Sequence, residues 1–313
     1  MLSAHGVRVL WYETSRDSPG LTSAQHAAGQ GADILLVSGG DGTVMACARG
    51  LLGTAVPLAI LPSGTGNIIA ASLRLPTDAV AATEVALHGE RKRIDLCVSD
   101  SGQHFFAGSI GATAAVLRDA SPAWKARAGM VAYAMSAARH VWDPPGTFRL
   151  RIDGEPMPAQ QCDAVLIGHF GRLITRPRLE RASLDDGLLE VGILKVRPFL
   201  DWIRQDRPAL KPPRRPPLDW YQGRQVTVDC DRSCPAERDG DCVGSASHLQ
   251  VAVSPRSLQI CVPPSRGRPQ RMKPLRSWVL HDTRVLLFQH AARAHRGQIG
   301  TGPCAWDRTP VPR

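Results

Sequence analysis

Two glycine-rich turns, each at the exit of an apolar run, constrain this chain more than any other feature. The first, GGDGTV at residues 39–44, follows DILLVS (33–38). The second, PSGTGN at 62–67, ends VPLAILP (56–62). The first run is apolar at consecutive positions, as a strand covered on both faces by helices should be. In a parallel sheet both turns leave at the same edge, where backbone N–H groups at helix starts can cradle phosphate oxygens. Gly39, Gly40, Gly42 and Gly64 permit close backbone approach, and Thr43, Ser63, Thr65 and Asn67 add polar side chains. No Lys-Ser/Thr follows either turn, which excludes a Walker-type loop. Asp41 would repel bare phosphate. It reads instead as a Mg²⁺ ligand, directly or through water, or as the acceptor of a substrate hydroxyl proton.

The segments around these turns alternate. Strands are expected at 7–13, 33–38 and 56–62, and helices at 21–31, at 43–52, from 66 and at 77–90, the last capped by Thr77. This is a βαβαβα pattern, hence a parallel doubly wound α/β domain over 1–92 with its ligand edge at the strand C-termini. From 93 to 263 the texture changes to short alternating segments at 104–112, 148–154, 163–170, 187–196, 224–230, 248–254 and 257–263, interrupted by one helix near 122–140. That spacing predicts a mainly β, sandwich-like second domain. A Pro-rich basic loop is expected at 206–220.

Residues 264–313 form a basic tail. Ten Lys and Arg stand there against Asp282 and Asp307, so +8 of the chain's net +10 lies in its last fifty residues. Within the tail, 276–296 reads as an amphipathic helix, either lying on an anionic membrane surface or docked on the body. No run reaches the roughly 18 apolar residues of a membrane-spanning helix, and the N-terminus lacks a secretory signal pattern. Eight scattered cysteines fit reduced thiols of a cytoplasmic protein, and the spacing of Cys230, Cys234 and Cys242 does not make a zinc site.

GGDGTV followed by PSGTGN resembles the diacylglycerol kinase catalytic-domain family, which also includes bacterial lipid kinases and sphingosine kinases. NAD kinases share the first turn and usually lack the second. Two later segments extend the likeness. LDDGLLEV (184–191) is similar to the family's metal-holding segment, and ERDGDCVG (237–244) to the turn whose last carboxylate is the general base. The resemblance, carried over residues 7 to 263, implies ATP and Mg²⁺ as cofactors. It implies a structural metal held by Asp186 with the backbone carbonyls of Ser183 and Leu188, and Asp241 as catalytic base. Some relatives give that role to the Asp of the first turn, here Asp41, and both alternatives stay open.

Four features depart from the family pattern. The chain opens at what looks like the second strand of the fold. Ile68 follows Asn67 where an Asp is frequent, Thr113 stands where a metal-network Asp is usual, and His169 where Asn is common. The expected function is therefore an ATP-dependent lipid kinase acting on a hydroxyl of diacylglycerol or a related lipid. The alternative is a weakened or inactive relative that binds nucleotide or lipid as a regulator, with an NAD kinase-like activity third. Expected partners are the lipid substrate and an anionic membrane surface met peripherally from the cytoplasm, with room for a homodimer and no nucleic acid.

Overall fold

A computed structural model describes residues 8–15, 18–64, 66–119, 143–170, 183–195, 218–264 and 284–290. The N-terminal half alternates as expected: β1 (Arg8–Thr14), α1 (Leu21–Gly29), β2 (Ile34–Gly39), α2 (Asp41–Leu51), β3 (Leu58–Pro62), α3 (Ile68–Ser72) and α4 (Ala79–His88). β2 shows why this half is doubly wound. Leu35 and Val37 pack into a core with Ala24, Ala27, Met45, Ala48 and Leu51, while Ile34 and Leu36 face the opposite side with Ala59, Ala86 and Cys261. A strand buried on both faces has no polar face, which accounts for its unbroken apolar run. α4 is capped by Asp78, not Thr77: its Oδ1 accepts the Ala81 N–H at 2.9 Å. The helix starts one residue later than expected, so Asp78 is the residue whose side chain reaches the third helical amide.

The second half is β-rich. β4 (Glu90–Ser99), β5 (His104–Phe105) and β6 (Ala107–Gly111) lead into a short helix, α5 (Ala112–Asp119), which the sequence did not announce. β7 (Gly146–Ile152), β8 (Glu155–Pro156), β9 (Gln160–Cys162), β10 (Ala164–Gly168), β11 (Leu189–Leu194) and β12 (Leu218–Gly223) follow. β13 (Gln225–Arg238) and β14 (Asp241–Val262) are each longer than the sequence pattern indicated. The two segments expected at 248–254 and 257–263 are one strand with an irregularity between Ser254 and Leu258, where Arg256 takes φ 50°. The bulge switches the facing residues and so breaks the alternation that a single strand would display. Phe148, Leu150, Val165, Ile167, Val191, Val226, Val228 and Val251 form this half's own core.

β14 joins the halves. It pairs antiparallel with β13 and β4, and Ile260 stands opposite Leu58 of β3 in parallel. The expected junction at 92/93 falls inside β4. The fold is thus α/β, a parallel doubly wound layer continuous with a β-sandwich-like half.

One expectation is corrected outright. Residues 284–290, assigned to the amphipathic helix 276–296, form a strand, β15 (Arg284–His290), between β1 and β2 and parallel to both. Its sequence holds four consecutive apolar residues, Val285 to Phe288. That is the signature of an interior parallel strand rather than of one helix face. The helix expected at 122–140, most of the loop at 206–220 and the rest of the tail lie outside the described residues. Among the described residues no helix is long and apolar enough to cross a membrane.

Candidate active site

The two glycine turns lie side by side because β2 and β3 are parallel neighbours, with Gly39 opposite Pro62. Ser63 N–H donates to the Gly39 carbonyl at 3.2 Å, and the Ser38 and Ser63 hydroxyls are 3.5 Å apart. A Cβ added to Gly64 would stand 2.4 Å from the Gly40 Cα, so the two backbones touch where any side chain would separate them. The second turn closes on itself. Asn67 Oδ1 accepts from Gly64 N–H at 2.9 Å, its Nδ2 donates to the Gly64 carbonyl at 2.7 Å, and its backbone sits in the left-handed region (φ 49°). Asn tolerates that conformation better than most residues.

Asp41 is the first residue of α2, and Gly42 and Thr43 are helical as well, two residues earlier than expected. Its carboxylate reaches across to the second turn. Oδ2 accepts the Ile68 N–H and Oδ1 the Ile69 N–H, each at 3.1 Å. Asp41 thereby satisfies two of the amides left over at the start of α3 and ties the two turns into one unit.

The turn between β13 and β14 enters from the other half. A Cβ on Gly42 would stand 3.5 Å from Asp241 Oδ2, which brings this exposed carboxylate against the first turn of α2. Asp239 beside it is held in place: its Oδ1 accepts Phe106 N–H at 2.8 Å and Ala107 N–H at 3.2 Å, and Arg49 of α2 lies 4.0 Å from its Oδ2. Burial pushes Asp239 up to about 6 against the pull of these donors and of Arg49. Burial likewise pushes Glu237 up to about 7, although it accepts the Gly240 N–H at 3.0 Å. Asp41 and Asp241 thus stand at the glycine turns, Asp239 is tied to α2 through Arg49, and Glu237 sits behind them in the same β13–β14 turn region.

The third segment is a separate turn. Asp186 accepts Ser183 N–H at 3.3 Å and Leu188 N–H at 3.1 Å, so the three residues expected around a metal do form one loop. The loop is anchored by Asp95, a fully buried carboxylate in β4. Asp95 accepts Gly187 N–H and Arg256 N–H, each at 2.7 Å, and its own amide donates to the Leu184 carbonyl. Ser183 Oγ donates to Asp185, which pairs with Lys92 at 3.0 Å. Among the described residues no three His, Cys, Asp or Glu side chains gather closely enough to hold a metal. An exposed carboxylate with backbone carbonyls is nonetheless an all-oxygen donor set of the kind Mg²⁺ takes, with water or phosphate completing it.

Thr65 lies outside the described residues. Sequence reasoning missed Asp95, Glu237, Asp239 and Arg49. A lone acid within the apolar run IDLCV was the available signal for Asp95. A pocket of about 190 Å³ opens near this cluster, lined by Phe105, Ile167, Glu237, Leu249 and Val251 among others. A second, of about 210 Å³, lies beside α5 with Arg118 and Arg232 at its wall. The glycine turns line neither.

Residues 1–99 match the diacylglycerol kinase catalytic domain, and residues 108–262 match the YegS C-terminal NAD kinase beta sandwich-like domain. The chain is 30% identical over 175 residues to a diacylglycerol kinase of Mycobacterium tuberculosis, covering 53% of this chain and 56% of that relative. It is 27% identical over 271 residues to a protein named "Probable lipid kinase YegS-like" of Cronobacter sakazakii, covering 82% and 86% of the two chains. The chain spans little more than half the length of several curated relatives that it matches. Among solved structures, a diacylglycerol kinase of Bacillus anthracis str. Sterne superposes with a TM-score of 0.56 at 20% identity, over 79% of this chain and 82% of that one. A second Bacillus anthracis structure reaches 0.62 at 23% identity, over 78% and 82%, and both agree in fold. With both halves matched in order and the glycine turns assembled as one unit, the chain belongs to the diacylglycerol kinase catalytic-domain family.

Proposed function

We propose that this chain moves the γ-phosphoryl group of ATP to a hydroxyl of diacylglycerol or a related lipid. The observation that carries this reading is the meeting of three turns. Asp41 ties the two glycine turns together, and Asp241 stands against Gly42 from the other half. Backbone N–H groups at the start of α2, with the hydroxyls of Thr43 and Ser63, hold phosphate oxygens. Asp41 and Asp241 would hold a Mg²⁺ ion, which would supply the charge neutralisation that phosphoryl transfer requires. Asp186 with the Ser183 and Leu188 carbonyls would hold a second, structural Mg²⁺.

Both Asp41 oxygens already accept amides of α3, so the base role falls to Asp241, which is exposed. Its carboxylate takes the proton of the lipid hydroxyl as the oxygen–γ-phosphorus bond forms. The bond from the γ-phosphorus to the β-phosphate oxygen breaks, and ADP leaves. The pocket whose wall includes Phe105, Ile167 and Leu249 offers room for part of an acyl chain. The basic tail adds attraction to anionic lipid surfaces. Transfer of label from γ-labelled ATP to a lipid extract tests the reading, with Asp241→Asn as the control that should lose it.

One observation favours a second reading, nucleotide binding without transfer. Thr113 stands where the family pattern has an acid, and its hydroxyl is buried with no hydrogen-bond partner among the described residues. Retained ATP binding with no labelled lipid would select this reading.

A further inference from the structure

β1 and β2 are consecutive in the chain, yet they do not pair. The sheet order is β1-β15-β2, so a strand from the far end of the sequence lies between them. β15 faces β1 at seven positions, from Arg8 opposite Arg284 to Thr14 opposite His290, all parallel. On its other side it faces β2 at five, from Ile34 opposite Val285 to Ser38 opposite Gln289. Among the described residues β15 is the only strand that β1 pairs with. Without it β2 would keep β3 alone, and two rows of backbone N–H and C=O groups in the middle of a sheet would lose their partners.

We propose that the gap between β1 and β2 is a strand-receiving slot filled by residues 284–290 of the same chain, and that filling it assembles the nucleotide edge. Four observations carry this. The register ends at the site: Gln289 stands opposite Ser38, one residue before Gly39, so β15 buttresses the strand that delivers the first glycine turn. The sequence of β15 is apolar at four consecutive positions, as a slot with strands on both sides requires. Residues 265–283 can span on the order of 60 Å when extended, so the tail can reach across the sheet from the end of β14. Lastly, pairing elements this far apart in sequence closes a very long loop, which makes β15 the natural last strand to dock and first to leave. Insertion of an extended segment into a sheet is a known mode of recognition, in which main-chain hydrogen bonds supply the affinity. The tail is then a control on the site: docked, it holds the turns; released, it opens the slot.

Two experiments on the full chain test this. The first requires no nucleotide. Glu13 and Gln289 are register partners, and adjacent strands lie about 4.8 Å apart, within disulfide reach. Glu13→Cys with Gln289→Cys should form a disulfide within one chain, mapped by peptide mass spectrometry. Glu13→Cys with Leu286→Cys, about 10 Å out of register, should not. Failure of the first pair, or a cross-link joining two chains, overturns the assignment in cis.

The second experiment tests the consequence and rests on the nucleotide reading above. Leu287→Pro removes an N–H in mid-strand and cannot stay within a ladder paired on both sides. It should weaken binding of a fluorescent ATP analogue at least tenfold and speed hydrogen exchange at 34–39, while 225–238 stays protected. A synthetic peptide of residues 280–294 should restore slow exchange at 34–39. Unchanged exchange at 34–39 overturns the slot. Faster exchange with unchanged analogue binding overturns the link between slot and site. If the parent chain itself binds no analogue, the nucleotide reading fails while the cross-link result stands.

Discussion

Asp241 Oδ2 lies 3.5 Å from the point where a Cβ on Gly42 would stand, although the two residues belong to different halves of the molecule. In the function proposed above, this contact carries the proton-accepting carboxylate to the helix start that holds phosphate. Asp241→Asn keeps the size and removes the base. Turnover should fall by about 10² to 10⁴ with nucleotide affinity little changed. Steady-state rates beside equilibrium nucleotide binding measure the two effects separately.

Asp41 carries a structural load besides its charge. Asp41→Asn keeps one oxygen for the two amides of Ile68 and Ile69 and turns an NH₂ group towards the other. Loss of a helix-capping carboxylate costs about 1 kcal/mol, so the urea midpoint should drop along with nucleotide binding. An unchanged midpoint would mean that the clamp between the turns contributes nothing to the fold.

Gly64 tests the contact between the turns directly. Gly64→Ala puts a methyl 2.4 Å from the Gly40 Cα, and the backbones must move apart. Overpacking of this kind costs about 1–3 kcal/mol. Nucleotide affinity should fall more than tenfold, while the circular dichroism spectrum stays that of the parent.

Glu237 should make stability depend on pH. In the fold it titrates near 7, raised by burial from 4.5. Between these values the folded state holds a proton that the unfolded chain has released, so stability falls as pH rises from about 4 to about 7 and then levels. Asp239, raised from 3.8 to about 6, adds to the slope in the lower part of that window. Glu237→Gln keeps an oxygen for the Gly240 amide and removes the titration. Urea midpoints from pH 4.5 to 8 should then decline less than in the parent, and parallel profiles would contradict the burial effect.

The glycine turns were legible in the sequence because each of their requirements is local: an apolar strand, glycines at its end, a helix after it. That the two turns lie side by side followed from their strands being parallel neighbours. What escaped was set by distance. β15 read as part of a helix although its four consecutive apolar residues suit a strand, because nothing local records that its partners are residues 8–14 and 34–38. Asp95 escaped because its partners Gly187 and Arg256 lie 92 and 161 positions away. Asp241 was found through a resemblance, whereas the carboxylates that share its surroundings, Glu237 and Asp239, passed as ordinary turn residues. β6 pairs with β13 at Glu237 and Arg49 of α2 reaches Asp239, contacts that no local pattern shows.

The most direct measurement is transfer of γ-labelled phosphate from ATP, with Mg²⁺, to lipid presented in mixed vesicles by the full chain. Label in an extractable phospholipid, lost in Asp241→Asn while the variant still binds ATP, is the predicted result. No labelled lipid from a parent chain that binds ATP, across diacylglycerol and related hydroxyl lipids, would contradict it.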